Sequence, residues 1–240
     1  MTPGLRQWLF ETLYRNRYLY RFASTIPFAG QWRVWQRLVL SRIHGLDVLE
    51  LGCGLGDLLA DILEAGYHCF AVESSPEMVA AARETLRRRQ VGRAALVMQG
   101  SAQALPFSDN SFDTVVSSFP TEYIYDQNTL AEVARVLRPG GRLVVIEGAN
   151  LLPVGLLQPF LILLQALVYG TSPMFGSRRE RQADAIKHEG QPLDEHGVYT
   201  EVVPNATFGR SIPLEQCGLR RRSERVYSRR WEVHITIGEK

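Results

Sequence analysis

The chain reads as an α/β protein of the doubly wound kind, with a seven-stranded sheet that is mostly parallel and has an antiparallel last strand. Two observations predict this. From Leu46 to Glu147, short apolar runs alternate with helix-patterned stretches, as the strands and crossover helices of a parallel sheet do. A glycine turn, Gly52-Cys53-Gly54-Leu55-Gly56, directly follows the first apolar run and opens the first helical stretch, where open α/β sheets bind nucleotides. With 240 residues, 45% hydrophobic and 22% charged, the chain suits one domain with a substantial core.

In order, the expected strands are Leu46 to Leu51, Tyr67 to Val72, Ala94 to Met98, Phe112 to Ser117 and Arg142 to Glu147. The helices between them are Gly56 to Ala65, Pro76 to Arg89 and Asp126 to Leu137. The second helix carries start chemistry: Ser75 caps, Pro76 suits the first turn, Glu77 complements the dipole, and the helix should stop near Gly92. Leu219 to Ile237 alternates as two further strands around a turn at Ser228 to Arg230. The chain therefore divides into an N-terminal helical arm (1–44), a core (45–148), a hydrophobic insertion or lid (149–207) and a C-terminal helix with strands (208–240).

A formal net charge of +2 gives no global argument for nucleic-acid binding. Cys53, Cys69 and Cys217 are too few and too scattered for a disulfide framework, so a reducing cytoplasm is the expected setting. Arg6, Glu11, Arg15, Arg17 and Arg21 interrupt the first apolar residues, and no secretory segment is read there. The histidines do not sit with Cys, Asp or Glu at ligand spacing, and no metal is expected.

The glycine turn separates two cofactor classes by charge. A pyrophosphate site would place its third glycine at position 57, but Asp57 stands there and its carboxylate would repel a phosphate. S-adenosylmethionine has no phosphate and carries a sulfonium and an ammonium, which Glu50, two residues before Gly52, would favour. Glu73 ends the second strand about twenty residues after the turn, the spacing of an acid that accepts hydrogen bonds from ribose hydroxyls.

Four motifs appear in order: Glu50-Leu51-Gly52-Cys53-Gly54-Leu55-Gly56; Val72-Glu73-Ser74-Ser75-Pro76-Glu77-Met78; Gln99-Gly100-Ser101-Ala102-Gln103-Ala104-Leu105-Pro106-Phe107 leading to Ser111-Phe112-Asp113; and Ala131-Glu132-Val133-Ala134-Arg135-Val136-Leu137-Arg138-Pro139-Gly140-Gly141-Arg142-Leu143. Together they resemble the class I S-adenosylmethionine-dependent methyltransferases, in particular the branch related to ubiquinone and menaquinone C-methyltransferases. The resemblance implies a Rossmann-like sheet, with the cofactor held by Glu50, Gly52, Cys53, Gly54, Gly56, Glu73, Ser74, Met78, Ser101, Ala102 and Ser117. Ser101 departs from the aspartate usual at the adenine position, although its hydroxyl still accepts a hydrogen bond.

Methyl transfer from a sulfonium is an in-line displacement, and holding the acceptor close and aligned supplies much of its acceleration. The acceptor is expected beside Ser117-Ser118-Phe119-Pro120-Thr121-Glu122-Tyr123, where Glu122 and Tyr123 are candidates to orient or deprotonate it. Packing by Tyr123 and solvation of Glu122 is the alternative.

Two outer regions bear on the substrate. Leu151 to Tyr169 is uncharged but broken by Pro153, Gly155, Gln158, Pro159 and Gln165, which favours a lid over a greasy pocket, with interfacial membrane contact second. Gln7 to Ile43 mixes Trp8, Phe10, Tyr14, Tyr18, Tyr20, Phe22, Trp32 and Trp35 with Arg15, Arg17, Arg21, Arg33, Arg37 and Arg42. That composition suits an anionic membrane face, an RNA, or a pair of capping helices with their arginines in water. The expectation is a methyltransferase acting on a lipid, quinone or similar apolar small molecule, cytoplasmic or at the membrane face. An RNA or protein methyltransferase, or a non-catalytic cofactor-binding or membrane-docking module, is the rival. The basic run Arg220 to Arg222 with Arg225, Arg229 and Arg230 would add to a charged surface or be a solvated strand face.

Overall fold

A computed structural model describes residues 31–91, 96–151, 198–203, 210–228 and 231–240. The arm before residue 31, the expected lid within 151–169 beyond its first residue, the start of the third strand at 94–95 and the turn residues 229–230 lie outside the described residues.

The elements are α1 (Trp32–Arg37), β1 (Asp47–Leu51), α2 (Asp57–Glu64), β2 (His68–Glu73), α3 (Pro76–Arg89), β3 (Val97–Gln99), β4 (Phe112–Ser118), α4 (Gln127–Val136), β5 (Leu137–Leu151), β6 (Val198–Val202), β7 (Arg220–Ser228) and β8 (Trp231–Glu239), with short 3-10 turns at Leu40–Arg42, Glu122–Tyr125 and Leu214–Cys217. They build one eight-stranded sheet in the order β3-β2-β1-β4-β5-β8-β7-β6. β1 to β5 are mutually parallel, and β8 runs antiparallel to β5 as expected.

The count differs from the seven expected because β6 forms within the stretch read as insertion and adds antiparallel to the edge of β7. Its sequence, Val-Tyr-Thr-Glu-Val, is half-exposed along its length, so the strand depends on β7's open hydrogen-bonding edge rather than on an apolar run. The helix expected in 208–240 is, among the described residues, only the 3-10 turn at Leu214–Cys217.

Apolar cores cover both faces of the sheet. On one, α1, α2 and α3 pack Trp35, Leu58, Leu59, Ile62, Ala82 and Leu86 over Val48, Ala71, Val116 and Val144. On the other, α4 packs Leu130, Val133 and Val136 over Leu49, Val115, Leu143 and Val145. β1 lies between β2 and β4 and buries four of its five residues, as a central strand covered on both faces must. α3 starts as its local chemistry dictates: the Ser75 side chain accepts from Met78 N–H at 3.2 Å. It ends at Gln90, which takes the left-handed cap conformation two residues before the expected glycine.

Conserving the link between α1 and the core falls to Asp61, which is 6% exposed. It accepts from Arg33 of α1 at 2.5 Å and Arg89 of α3 at 2.7 Å. Asp61→Ala removes the nearly buried acceptor shared by two guanidiniums, of which Arg89 keeps Glu64 and Arg33 keeps Gln36, and urea unfolding should report a loss of about 1–2 kcal/mol with an unchanged m-value. An unchanged midpoint would show that the network contributes nothing to stability.

Two family motifs prove to be structural ties. Glu132 accepts from Leu105 N–H at 2.7 Å while Arg135 donates to the carbonyls of Phe107 (2.7 Å) and Leu105 (3.1 Å), so α4 clamps the loop after β3. Asp113 accepts from the N–H groups of Leu46 and Asp47 at 3.0 Å and from Arg138 at 2.7 Å, fixing the amino ends of β1 and β4.

Candidate cofactor and acceptor site

The strand order reverses at β1, with β2 and β3 on one side and β4 and β5 on the other. The crevice at the carboxyl ends of β1 and β4 is therefore the place where this architecture receives a ligand. The chain leaves β1 through Gly52, Gly54 and Gly56, all at positive φ (69°, 52° and 74°). Two of these have no room for a side chain: a Cβ on Gly52 would sit 2.7 Å from Tyr123 Oη, and one on Gly56 would sit 2.8 Å from Ala82 of α3.

The turn and the end of β2 hold each other. Gly54 N–H donates to Glu73 Oε2 at 3.0 Å, and Ser75 N–H donates to Oε1 at 2.9 Å. Ser74 Oγ adds a longer contact to Oε1 at 3.3 Å. Oε2 keeps a second lone pair, and Oε1 can exchange its longer Ser74 contact for a ligand hydroxyl, so Glu73 is oriented in advance and still able to accept from a ligand.

Glu50 lies in β1, one residue before its end, 1% exposed. Its Oε2 is buried and without a hydrogen-bond partner among the described residues. Burial, and next the charge of Glu73, push its carboxyl up to about 8. A buried carboxyl oxygen left unsatisfied, beside Glu73 and Asp57, suits a cationic ligand group and opposes a phosphate. The residues present thus fit S-adenosylmethionine.

The other predicted residues divide. Cys53 is 6% exposed and its thiol, like that of Cys69, is pushed well up by burial, so both stay protonated core residues. Met78 is 2% exposed at the first turn of α3. Ser101 is exposed just beyond β3, with its hydroxyl donating to Gln103 Oε1, and Ala102 beside it is half-buried. Gln103 in turn reaches Asp126 at 3.2 Å, which ties this loop to the start of α4.

Ser117 is fully buried. Its hydroxyl lies 2.7 Å from Tyr123 Oη and 3.2 Å from the Leu51 carbonyl, which Tyr123 also reaches at 3.1 Å. Both hydroxyls therefore brace the last carbonyl before the glycine turn. Tyr123, expected as an acceptor-facing group, sits beneath Gly52, whereas Glu122 is 88% exposed and contacts Arg210 at 3.2 Å. The structure does not bring these two candidates together on one reacting atom.

Sequence reasoning named Phe119 and Trp32 in separate segments but missed their contact, along with other neighbours. Phe119, the residue after β4, has φ +51° and stacks on Trp32 of α1 at 4.0 Å between ring centroids. β5 bulges at Glu147, which accepts from Thr236, and His234 of β8 meets Glu232 at 2.8 Å just beyond that bulge. Tyr125 faces this side, and burial with the charges of Glu147 and Glu122 pushes its phenol up. The Phe119–Trp32 and Glu147–Thr236 contacts join residues 87 and 89 positions apart, and no local spacing announces them. Among the described residues no cluster of His, Cys, Asp or Glu could hold a metal, and no helix is long and apolar enough to cross a membrane.

Residues 49–145 match the methyltransferase domain family. A demethylmenaquinone methyltransferase of Lactiplantibacillus plantarum is 34% identical over 148 residues, covering 59% of this chain and 61% of that protein. A ubiquinone/menaquinone biosynthesis C-methyltransferase of Escherichia coli is 31% identical over 175 residues, covering 70% of this chain and 68% of that protein. The chain spans only about three fifths of the length of the first of these relatives. In fold it resembles a Pyrococcus horikoshii protein (TM-score 0.52, 17% identity, covering 91% and 93% of the two chains). It also resembles a SAM-dependent methyltransferase of Thermotoga maritima (TM-score 0.52, 20% identity, covering 97% and 99%). By these matches the chain belongs to the S-adenosylmethionine-dependent methyltransferase family that includes the ubiquinone/menaquinone C-methyltransferases.

Proposed function

We propose that this chain methylates an apolar small-molecule acceptor, a quinol-type ring or a related lipid, with S-adenosylmethionine as methyl donor. The observation that carries the reading is the paired acid arrangement at the switch point: Glu73 held by Gly54 and Ser75, with the unsatisfied Glu50 beside it. Glu73 would take the ribose hydroxyls, Glu50 the ammonium, the Gly52 to Gly56 backbone the close approach, and Ser101 with Ala102 the adenine edge. Bound there, the cofactor supplies an electrophilic methyl on a sulfonium sulfur. Tyr123 and Ser117 position the turn through Leu51 and need not touch the acceptor. Alignment and exclusion of water supply the rate.

The chain's arginines argue for a small apolar acceptor over a nucleic acid. Arg33 pairs with Asp61, Arg42 with Glu224 at 2.7 Å, Arg220 with Glu239 at 2.5 Å and Arg221 with Glu215 at 3.1 Å. The guanidiniums of Arg33 and Arg42 are committed to the buried carboxylates of Asp61 and Glu224 and contribute little to phosphate tracking. The aromatic and arginine-rich arm and the uncharged run at 151–169 support an acceptor drawn from a membrane face.

The test has two stages. S-adenosylhomocysteine at about a hundredfold over its dissociation constant should add ~2.7 kcal/mol, a rise of roughly 5–10 °C in Tm, with NAD giving none. Methyl-labelled cofactor should then mark the lipid fraction of a cell extract, and Gly54→Asp should abolish the labelling. Label entering RNA or protein instead, or no transfer from a cofactor-binding sample, would overturn the reading.

A further inference from the structure

The aromatic cluster at the carboxyl end of β4 belongs to none of the cofactor contacts described above. Phe119 stands at φ +51°, a backbone region that costs a residue with a side chain roughly 1–2 kcal/mol. Such a conformation persists where its surroundings enforce it, and it concentrates at ligand sites. The surroundings here are specific. Phe119 N–H donates to the Ile146 carbonyl at 2.8 Å, and Pro120 follows directly. The ring stacks on Trp32 at 4.0 Å with 28° between the planes and lies 6.3 Å from Trp35, which meets Trp231 edge-on at 6.2 Å.

The inner two rings, Trp35 and Trp231, are 0% and 4% exposed, whereas the outer two, Trp32 and Phe119, are only half-buried. The outer pair therefore keeps aromatic surface at the edge of the core. Its position is fixed from several directions: Gln36 of α1 donates to Ser118 Oγ at 3.1 Å, Arg33 is held by Asp61, and Trp231 Nε1 donates to Gln31 at 3.1 Å. A side chain that only filled space would need neither the strained backbone nor this bracing. Phe119 directly follows β4, whose carboxyl end lies across β1 from that of β2, which carries Glu73.

We propose that the Trp32–Phe119 stack is the shelf on which the acceptor's ring lies, and that it selects a flat aromatic ring over a puckered or saturated one of equal size. The inference rests on the methyltransferase reading and narrows its acceptor class. Offset ring stacking is a short-range, planar interaction, so a ring that loses planarity loses face-to-face contact while keeping its apolar area. A discrimination of about tenfold is what such contacts supply.

The probes are 1,4-dihydroxynaphthalene, kept anaerobic, and decalin-1,4-diol, its saturated counterpart with the same two hydroxyls. Each is titrated calorimetrically into the full chain saturated with S-adenosylhomocysteine. The wild-type protein should bind the flat diol about tenfold more tightly than the saturated one. Phe119→Leu and Trp32→Leu should each bring that ratio to about two or less, and Trp32→Phe, which keeps a ring, should retain most of it. Affinity for S-adenosylhomocysteine within about twofold of wild type certifies each variant's fold, and Trp32→Leu carries the test should Phe119→Leu fail to fold.

A wild-type ratio near one, or a ratio unmoved in both leucine variants, would overturn the shelf. So would binding of neither diol by protein that takes up S-adenosylhomocysteine, and labelling of the extract would then still uphold methyl transfer. Failure of wild-type protein to bind S-adenosylhomocysteine would overturn the methyltransferase reading and the shelf with it.

Discussion

Gly52→Ala is expected to cost about 2–4 kcal/mol of folding stability and to depress affinity for S-adenosylhomocysteine by a comparable amount. The two sources of this cost are separable. The first is conformational: Gly52 sits at φ +69°, where any other residue is strained. The second is steric: the new Cβ would lie 2.7 Å from Tyr123 Oη, and the next tyrosine atom, Cζ, is at 3.5 Å, an ordinary contact. Tyr123 cannot simply swing aside, because its hydroxyl is held by Ser117 and by the Leu51 carbonyl.

Tyr123→Phe should therefore be mildly destabilising alone, by about 1 kcal/mol for the lost hydrogen bonds, yet should recover about 1–2 kcal/mol when combined with Gly52→Ala. A double-mutant cycle in urea, with cofactor affinity measured in parallel, reads the coupling. Strict additivity would show that Tyr123 does not brace the turn and would return it to the list of acceptor-facing groups.

What could be read along the chain, and what could not, follows from the range of the interactions. α3 was legible to the residue because its start is local: Ser75, Pro76 and Glu77 each act within one turn. Its end falls at Arg89 as expected, with Gln90 rather than a glycine taking the left-handed cap. β1, β2 and β4 announce themselves as apolar runs because a central parallel strand is buried on both faces. β5 runs from Leu137 to Leu151, well past the Arg142 to Glu147 expected, because its last residues pair with β8, some eighty residues away. β6 was invisible for a similar reason: a half-exposed strand exists only because a neighbour offers an edge.

The same logic divides the site. That Gly54 and Glu73 meet is legible from spacing, because a parallel strand pair joined by one helix brings their carboxyl ends side by side. The stack of Phe119 on Trp32 is not, since it depends on a backbone angle and on a partner 87 residues back in the arm. For Tyr123 the sequence offers both an acceptor-facing and a packing role, and its contact with the Leu51 carbonyl, 72 residues earlier, is one that no local pattern announces.

Affinity for S-adenosylhomocysteine should rise with pH, and Glu50 is the reason. Its carboxyl is pushed from the ordinary 4.5 up to about 8, first by burial and then by the charge of Glu73, so in the cofactor-free protein it is protonated at neutral pH. The cofactor's ammonium favours the ionised form, and binding must therefore release a proton. Affinity should climb about tenfold per unit between roughly pH 5.5 and 7.5 and level off above about pH 8, a span near a hundredfold from pH 6 upward.

The sign for stability is the opposite. A carboxyl whose folded-state value is raised contributes stability that is fully present below its ordinary value of 4.5 and is lost as pH rises through about 8. The cofactor-free protein should accordingly become less stable across that window, while the cofactor-bound protein should not. Glu50→Gln keeps the shape and removes the titration, so it should flatten both profiles and hold affinity near the low-pH limit of the wild type. Calorimetric titration in two buffers of different ionisation enthalpy counts the released proton directly. A wild-type affinity independent of pH, or a slope that survives in Glu50→Gln, would assign the proton to another group and leave Glu50 as a buried acid with no part in holding the cofactor.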